Sequence, residues 1–219
     1  RMTLKALKKQ LNEGFMEVKR GCMIAVSAIS NIGDKILLSN GEEICYTKRK
    51  KKALREELQK KQELMIAKIS KEKLPLTPEE YGKYYKICDS LPFAFTDIEM
   101  VFNEEKKAVD WIFRYGNEAL ATLEKLPLDK MIGNSFSSLF SNMDAKWLHV
   151  YERATLYGET LEIMDYSPEI DTNLKIICFP TFPGHCGCIL FNADKMKSIS
   201  EENHLVRLAA VALKSNPTI

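Results

Sequence analysis

The sequence predicts an α+β protein in which an α-helical N-terminal region precedes a five-stranded antiparallel sheet with short helices on one face. Three observations predict it. Apolar side chains over residues 11–36 are spaced alternately four and three apart, the rhythm of a helical seam. Residues 91–191 hold five apolar runs of strand length separated by turns and short helical stretches. Charge also changes sign along the chain: residues 1–80 hold 18 basic and 11 acidic side chains, and residues 81–219 hold 14 and 19. The whole chain of 219 residues has a net charge of only +2, which by itself points to neither a nucleic-acid coat nor a polyacidic partner. A hydrophobic content of 45% is enough for a core and excludes global disorder.

The N-terminal helix is read from Leu11, Phe15, Val18, Cys22, Ala25, Ile29, Ile32 and Ile36. Met16, Met23, Ile24 and Val26 widen the stripe beyond a two-position seam, as in a bundle. A homodimer is expected, through Leu11, Phe15, Val18, Cys22 and Ile29, with Gly14 and Gly21 as weak points of the helix. Ser39-Asn40-Gly41 is a strong turn signal between Ile36-Leu37-Leu38 and Ile44-Cys45-Tyr46 and fits either a β-hairpin or a helix–turn–helix.

Lys48-Arg49-Lys50-Lys51-Lys52 is a run of five cations. It leads into strong helix formers from Ala53 to Ile69 with Leu54, Leu58, Met65 and Ile69 roughly on one side. The run reads either as a solvated helix start beside Glu56 and Glu57 or as a phosphate-contacting patch on nucleic acid or an anionic membrane. Without accompanying aromatic or arginine-rich patterning the solvated reading is preferred, and nucleic acid is not the expected partner. Thr77-Pro78-Glu79-Glu80 opens the next helix, with Thr77 as cap, Pro78 at the first helical position and Glu80 closing a capping box. The chain therefore divides into a basic helical arm (1–76), a sheet-bearing domain (77–197) and an outgoing amphipathic helix (198–219) that begins with the capping box Ser198 to Glu201.

In the middle part, a helix from about Pro78 to Cys88 precedes two runs at hairpin distance, Leu91 to Val101 and Ala108 to Tyr115. Asn117 caps a short helical region interrupted by Pro127. Met143, Trp147, Val150, Tyr151 and Ala154 then sit at helical spacing up to Gly158, a C-terminal stop. Three further strand-like runs follow: Glu159 to Asp165, Leu174 to Phe179 and Cys186 to Phe191.

The span from Tyr81 to Lys197 resembles a PAS domain, a sensory module common in bacterial signalling proteins. The resemblance is carried by Trp111-Ile112-Phe113-Arg114-Tyr115-Gly116-Asn117-Glu118-Ala119, by Lys130-Met131-Ile132-Gly133-Asn134-Ser135-Phe136, and by Tyr157-Gly158-Glu159 ahead of the third strand. It implies a PAS-like sheet and a sensory or regulatory module of a signal-transduction protein that relays ligand or partner binding through its flanking helices. It also implies a cavity between sheet and helices, where Trp111, Phe113, Leu120, Trp147, Tyr151, Cys178 and Cys188 could line a ligand site. The Gly-x-Asn-Cys-Arg motif of light-sensing relatives is absent. His149 lies on the helix where haem-binding relatives place a histidine, but its neighbours do not match. The cofactor is left unknown.

Enzymatic chemistry is not expected. His185-Cys186-Gly187-Cys188 has metal-ligand residue types, yet strand alternation puts the two thiols on one face and His185 on the other, with no second pair nearby to complete a tetrahedral site. No phosphate-gripping Gly-rich loop, zincin helix or nucleophile elbow is present. The six cysteines are scattered, as suits reduced thiols. The most apolar stretch, Gly21 to Ile32, is far short of the ~20 residues of a membrane span. A cytoplasmic chain is expected, cut from a longer one whose effector domain is missing. The rival reading is a nucleic-acid-binding transcriptional regulator that uses residues 48–52.

Overall fold

A computed structural model describes residues 14–73, 76–141 and 144–196, together with Ala6 and Leu11. The protein is α+β, and the segment from Phe15 to Ile44 is built of strands, not of a helix. β1 (Phe15–Lys19) and β2 (Cys22–Ala25) form an antiparallel hairpin, and β3 (Ile29–Ile32), β4 (Ile36–Leu38) and β5 (Glu43–Ile44) form a small three-stranded sheet.

The reason lies in the same residues. Met16 and Val18 are buried while Phe15 and Glu17 are half-buried, the period-two alternation of a strand, and β-branched residues dominate the buried set at Val18, Ile24, Val26, Ile29, Ile32 and Ile36. Gly21 takes a left-handed φ of 82° and closes the two-residue turn between Lys19 and Cys22, a conformation costly for other residues. What looked like a weak point of a helix is therefore the corner of a hairpin. Ser39-Asn40-Gly41 likewise turns a hairpin, since β4 pairs antiparallel with β5.

The expected dimer seam does not exist as a helix face. Val18 and Ile29 lie inside the N-terminal core, and Cys22 packs against it. Phe15 is a half-buried strand residue and Leu11 is half-buried outside any strand. No coiled coil is formed among the described residues.

A 3-10 turn over Lys48–Lys50 runs directly into α1 (Lys51–Glu72), so helical backbone begins at Lys48. Leu54 and Leu58 pack into the N-terminal core. Thr77 then caps α2 (Pro78–Tyr84): its Oγ1 accepts from Glu80 N at 3.3 Å, and Glu80 Oε2 accepts from Thr77 N at 2.7 Å. A 3-10 turn over Lys86–Ser90 follows.

β6 (Ala94–Phe102), β7 (Ala108–Gly116), β8 (Leu161–Ser167), β9 (Thr172–Pro180) and β10 (His185–Asn192) form the large antiparallel sheet in the order β7-β6-β10-β9-β8. Between β7 and β8 come α3 (Glu118–Glu124), α4 (Leu128–Met131), α5 (Phe136–Leu139) and α6 (Ala145–Tyr157). One sheet face packs with them around Ile98, Trp111, Phe113, Leu120, Trp147 and Tyr151. The other face packs under α2 around Tyr81, Tyr85, Phe95 and Tyr115. Asn117 joins the layers: its Oδ1 accepts from Leu120 N and Phe95 N, both at 3.0 Å, and its Nδ2 donates to the carbonyls of Cys88 and Phe93. The outgoing helix expected over 198–219 lies outside the described residues.

Candidate nucleic-acid interface

Five consecutive cations occupy the first helical positions after Thr47. Lys48, Arg49, Lys50 and Lys52 are exposed, and Lys51 is half-buried. This is the end of a helix where cations are least stable, because the unpaired N–H groups and the aligned peptide dipoles already make it positive. The usual remedies are missing. Thr47 precedes the helical run in an extended conformation without a side-chain capping bond, and the first turn of α1 holds no acidic residue.

Few carboxylates offset the run. Lys51 Nζ lies 3.4 Å from Asp34 Oδ1, and Lys52 Nζ lies 3.9 Å from Glu56 Oε1. Among the described residues, no carboxylate falls within ion-pair distance of Lys48, Arg49 or Lys50. Lys48, Arg49, Lys51, Lys52 and Arg55 line a shallow groove of about 400 Å³ together with Glu56 and Gln59. Arg55 Nε donates to the carbonyl of Ile32 at 2.9 Å, and Tyr46 Oη donates to the carbonyl of Gly33 at 2.5 Å. The small sheet thus fixes the direction of the helix that carries the cations. The β1–β2 corner adds Lys19 and Arg20, both exposed. Sequence reasoning overlooked them because it placed them inside a helix; a basic dipeptide before Gly21 was the available signal.

The seven residues proposed for a ligand site fall in the large sheet and its helices. Trp111, Phe113, Leu120, Trp147, Tyr151 and Cys188 line one cavity there. Cys178 is fully buried opposite Cys188 in the β9–β10 pairing, in the core beyond the cavity lining. Sequence reasoning missed the acidic members of the lining, Glu124 and Glu169. Cys186 Sγ and Cys188 Sγ are 3.8 Å apart as free thiols on the face with the core, and burial pushes the Cys188 thiol up.

His185 points to the opposite face. Its Nδ1 donates to Asp97 Oδ1 at 2.6 Å, and its Nε2 lies 3.3 Å from Tyr81 Oη. His149 is half-buried with a Nε2 that has no partner; burial, then the nearby Arg153 charge, pulls its pKa down. No group of three or more metal-ligating side chains occurs among the described residues. No helix among them is long and apolar enough to cross a membrane.

The LytTr DNA-binding domain family matches residues 1–59, out of 219. The match takes in the hairpin, the small sheet, the basic run and the start of α1. No curated protein matches the chain significantly. The match corrects the sequence reading on several points. The match is to a DNA-binding family, over residues 1–59, and not to the PAS domain read into residues 81–197. The sensory-module reading falls with it, as does the expectation that nucleic acid is not the partner. The cations at 48–52, read as a solvated helix start, belong to the matched segment.

Proposed function

We propose that the chain is a DNA-binding transcriptional regulator that acts in the cytoplasm by binding and not by catalysis, with the first helical turn at Lys48 to Lys52 gripping the phosphate backbone. One observation carries this reading. Five cations are gathered at the positive end of a helix that lacks both a capping bond and an acidic first turn. That arrangement sacrifices helix stability and concentrates positive potential where an anion is held best. The match of residues 1–59 to a DNA-binding family supports DNA as that anion.

In this reading residues 1–76 form the DNA-binding part, and residues 77–197 form a separate domain. Lysines and Arg49 on an exposed helical turn supply backbone attraction, which positions a protein on the duplex without reading its sequence. Arg55 is a positioning residue, because its guanidinium is already bonded to the small sheet.

The test is binding of the intact chain to a fluorescein-labelled mixed-sequence duplex, followed by anisotropy across a salt series. With five phosphate contacts the plot of log K against log salt has a slope near ~−4.5. Changing Lys48, Lys50 and Lys52 together to Gln flattens that slope by about 2.7. Absence of binding at low salt, or a slope unmoved by the triple change, overturns the reading.

A further inference from the structure

The cavity of the large sheet is lined on three sides by aromatic rings. Trp111 and Phe136 lie with ring centroids 4.3 Å apart, Trp111 meets Tyr151 edge-on at 5.1 Å, and Phe113 and Trp147 complete the wall. Its volume is about 40 Å³, room for about three waters.

The lining carries two carboxylates, Glu124 and Glu169, beside the hydroxyls of Thr96, Ser167 and Tyr151 and the indoles of Trp111 and Trp147. Thr96 Oγ1 is committed to the carbonyl of Tyr115 at 2.7 Å, and Ser167 Oγ donates to Glu169 Oε2 at 2.6 Å. That leaves Glu169 Oε1, which is buried without a hydrogen-bond partner, and the carboxyl of Glu124 at the end of α3. As whole residues both are half-buried, but the Glu124 carboxyl is enclosed enough that burial, with the charge of Glu169 as a second cause, lifts its pKa to about 7. No lysine, arginine or histidine lines the cavity among the described residues.

Two carboxylates share this cavity without a protein cation, and burial together with the charge of Glu169 makes ionising Glu124 costly. A cation placed between them removes that cost, and ring faces around it add attraction of their own. We propose that this cavity is a binding site for a small organic cation, a primary alkylammonium. Its head group sits between Glu124 and Glu169 and its short alkyl chain lies against Trp111, Phe136 and Tyr151. Anions are excluded by the carboxylates, and larger ligands by the volume. The site is independent of the DNA-binding reading and stands or falls separately.

The probes are ethylammonium and, as its neutral counterpart of equal size, ethanol. Each is titrated into the intact chain while the fluorescence of Trp111 and Trp147 is recorded. The chain has two tryptophans, and both line the cavity, so the signal is local. The expected result is saturable change with ethylammonium, at a Kd on the order of millimolar for so small a ligand, and none with ethanol over the same range. Glu169→Gln and Glu124→Gln, which keep the side-chain size, each weaken binding at least about tenfold by removing a charge-assisted contact.

A second measurement needs no variant. Glu124 is faced by Glu169 from the β8–β9 turn and by Tyr151 from α6, and Tyr151 stays neutral because burial holds its pKa far up. Ethylammonium binding at pH 7 therefore expels the proton held on Glu124. Calorimetry in two buffers of different ionisation enthalpy reads about half a proton released per ligand. Equal response to ethanol, no saturable response to ethylammonium, unchanged affinity in both Gln variants, or zero proton release each overturns the proposal.

Discussion

Asp97 and Glu124 are both acids inside the large sheet, and their surroundings treat them in opposite ways. Asp97 is fully buried and fully served: His185 Nδ1 donates to its Oδ1, while Tyr85 Oη at 2.7 Å and Thr181 Oγ1 at 2.5 Å donate to its Oδ2. Donors of this kind stabilise an ionised carboxylate in a dry site. Glu124 has burial and a like charge instead. Its pKa of about 7 lies above the ordinary 4.5, so between these values the folded state binds more protons than the unfolded one. Its contribution to stability therefore falls as pH rises through that window and is a net cost above it. Glu124→Gln is expected to leave stability near pH 4 unchanged and to raise it at pH 8 by about 1–2 kcal/mol, a figure reduced for the partial exposure of the residue. Urea midpoints at the two pH values check this, and a variant less stable than the parent at pH 8 contradicts the assignment.

At the scale of elements, the contrast is between two helix starts. α2 begins with a complete capping box, Pro78 at its first position and two glutamates in its first turn. Every one of those features was legible in Thr77 to Glu80, because a cap is a matter of neighbours in sequence. The helical run from Lys48 is the inverse, and the DNA-binding reading requires it to be. Lys48→Glu places a carboxylate where the dipole favours one, so it is expected to raise stability by about 0.3–1 kcal/mol while weakening DNA binding. Thermal unfolding and anisotropy measured on the same preparation give the two signs. A loss of both stability and binding would indicate that Lys48 is structural. The hairpin teaches a different lesson: 4-3 apolar spacing was satisfied by residues 11–36, but so was strand alternation. Gly21, Gly33 and Gly41, together with the β-branched residues between them, carried the decisive signal.

Across the whole molecule, α1 joins the N-terminal core to the domain of the large sheet. Leu54 and Leu58 lie in the N-terminal core, and Tyr157 of α6 packs against that same core. Tyr157 shares a hydrogen bond with Gln62, and burial raises its pKa to about 12. Beyond the helix, Lys73 pairs with Glu99 of β6, whose Oε2 also accepts from Arg114 Nε at 2.6 Å. Leu54→Ala leaves a cavity in the N-terminal core and is expected to cost about 2–5 kcal/mol. Because both tryptophans lie in the large sheet, their fluorescence tests the linkage. A urea transition of Trp111 and Trp147 that moves to lower concentration in this variant shows that the N-terminal core and the large sheet unfold together, and an unmoved transition shows that they do not. In the proposed DNA-binding reading the charge asymmetry adds a direction: the basic end faces the duplex, and the acidic part, 14 basic against 19 acidic residues over 81–219, is repelled by it over about a Debye length.

Local chemistry decided a good deal of this protein before any folding. Thr77 to Glu80 caps a helix, Asn117 caps another, Gly158 ends α6 in a left-handed conformation at φ 70°, and Lys48 to Lys52 forms a concentrated positive charge. Each depends on residues within a few positions of one another. Pairing and enclosure were decided only by the tertiary structure. Whether Val18 and Ile29 face a second chain or their own core depends on strands that meet across a turn. That Glu124 and Glu169, 45 positions apart in the sequence, share one cavity with Trp111 depends on a helix end, a turn and a strand closing on the same space. Sequence spacing carries no record of such a meeting, because the energy that selects it comes from burial of the whole core and not from neighbouring residues.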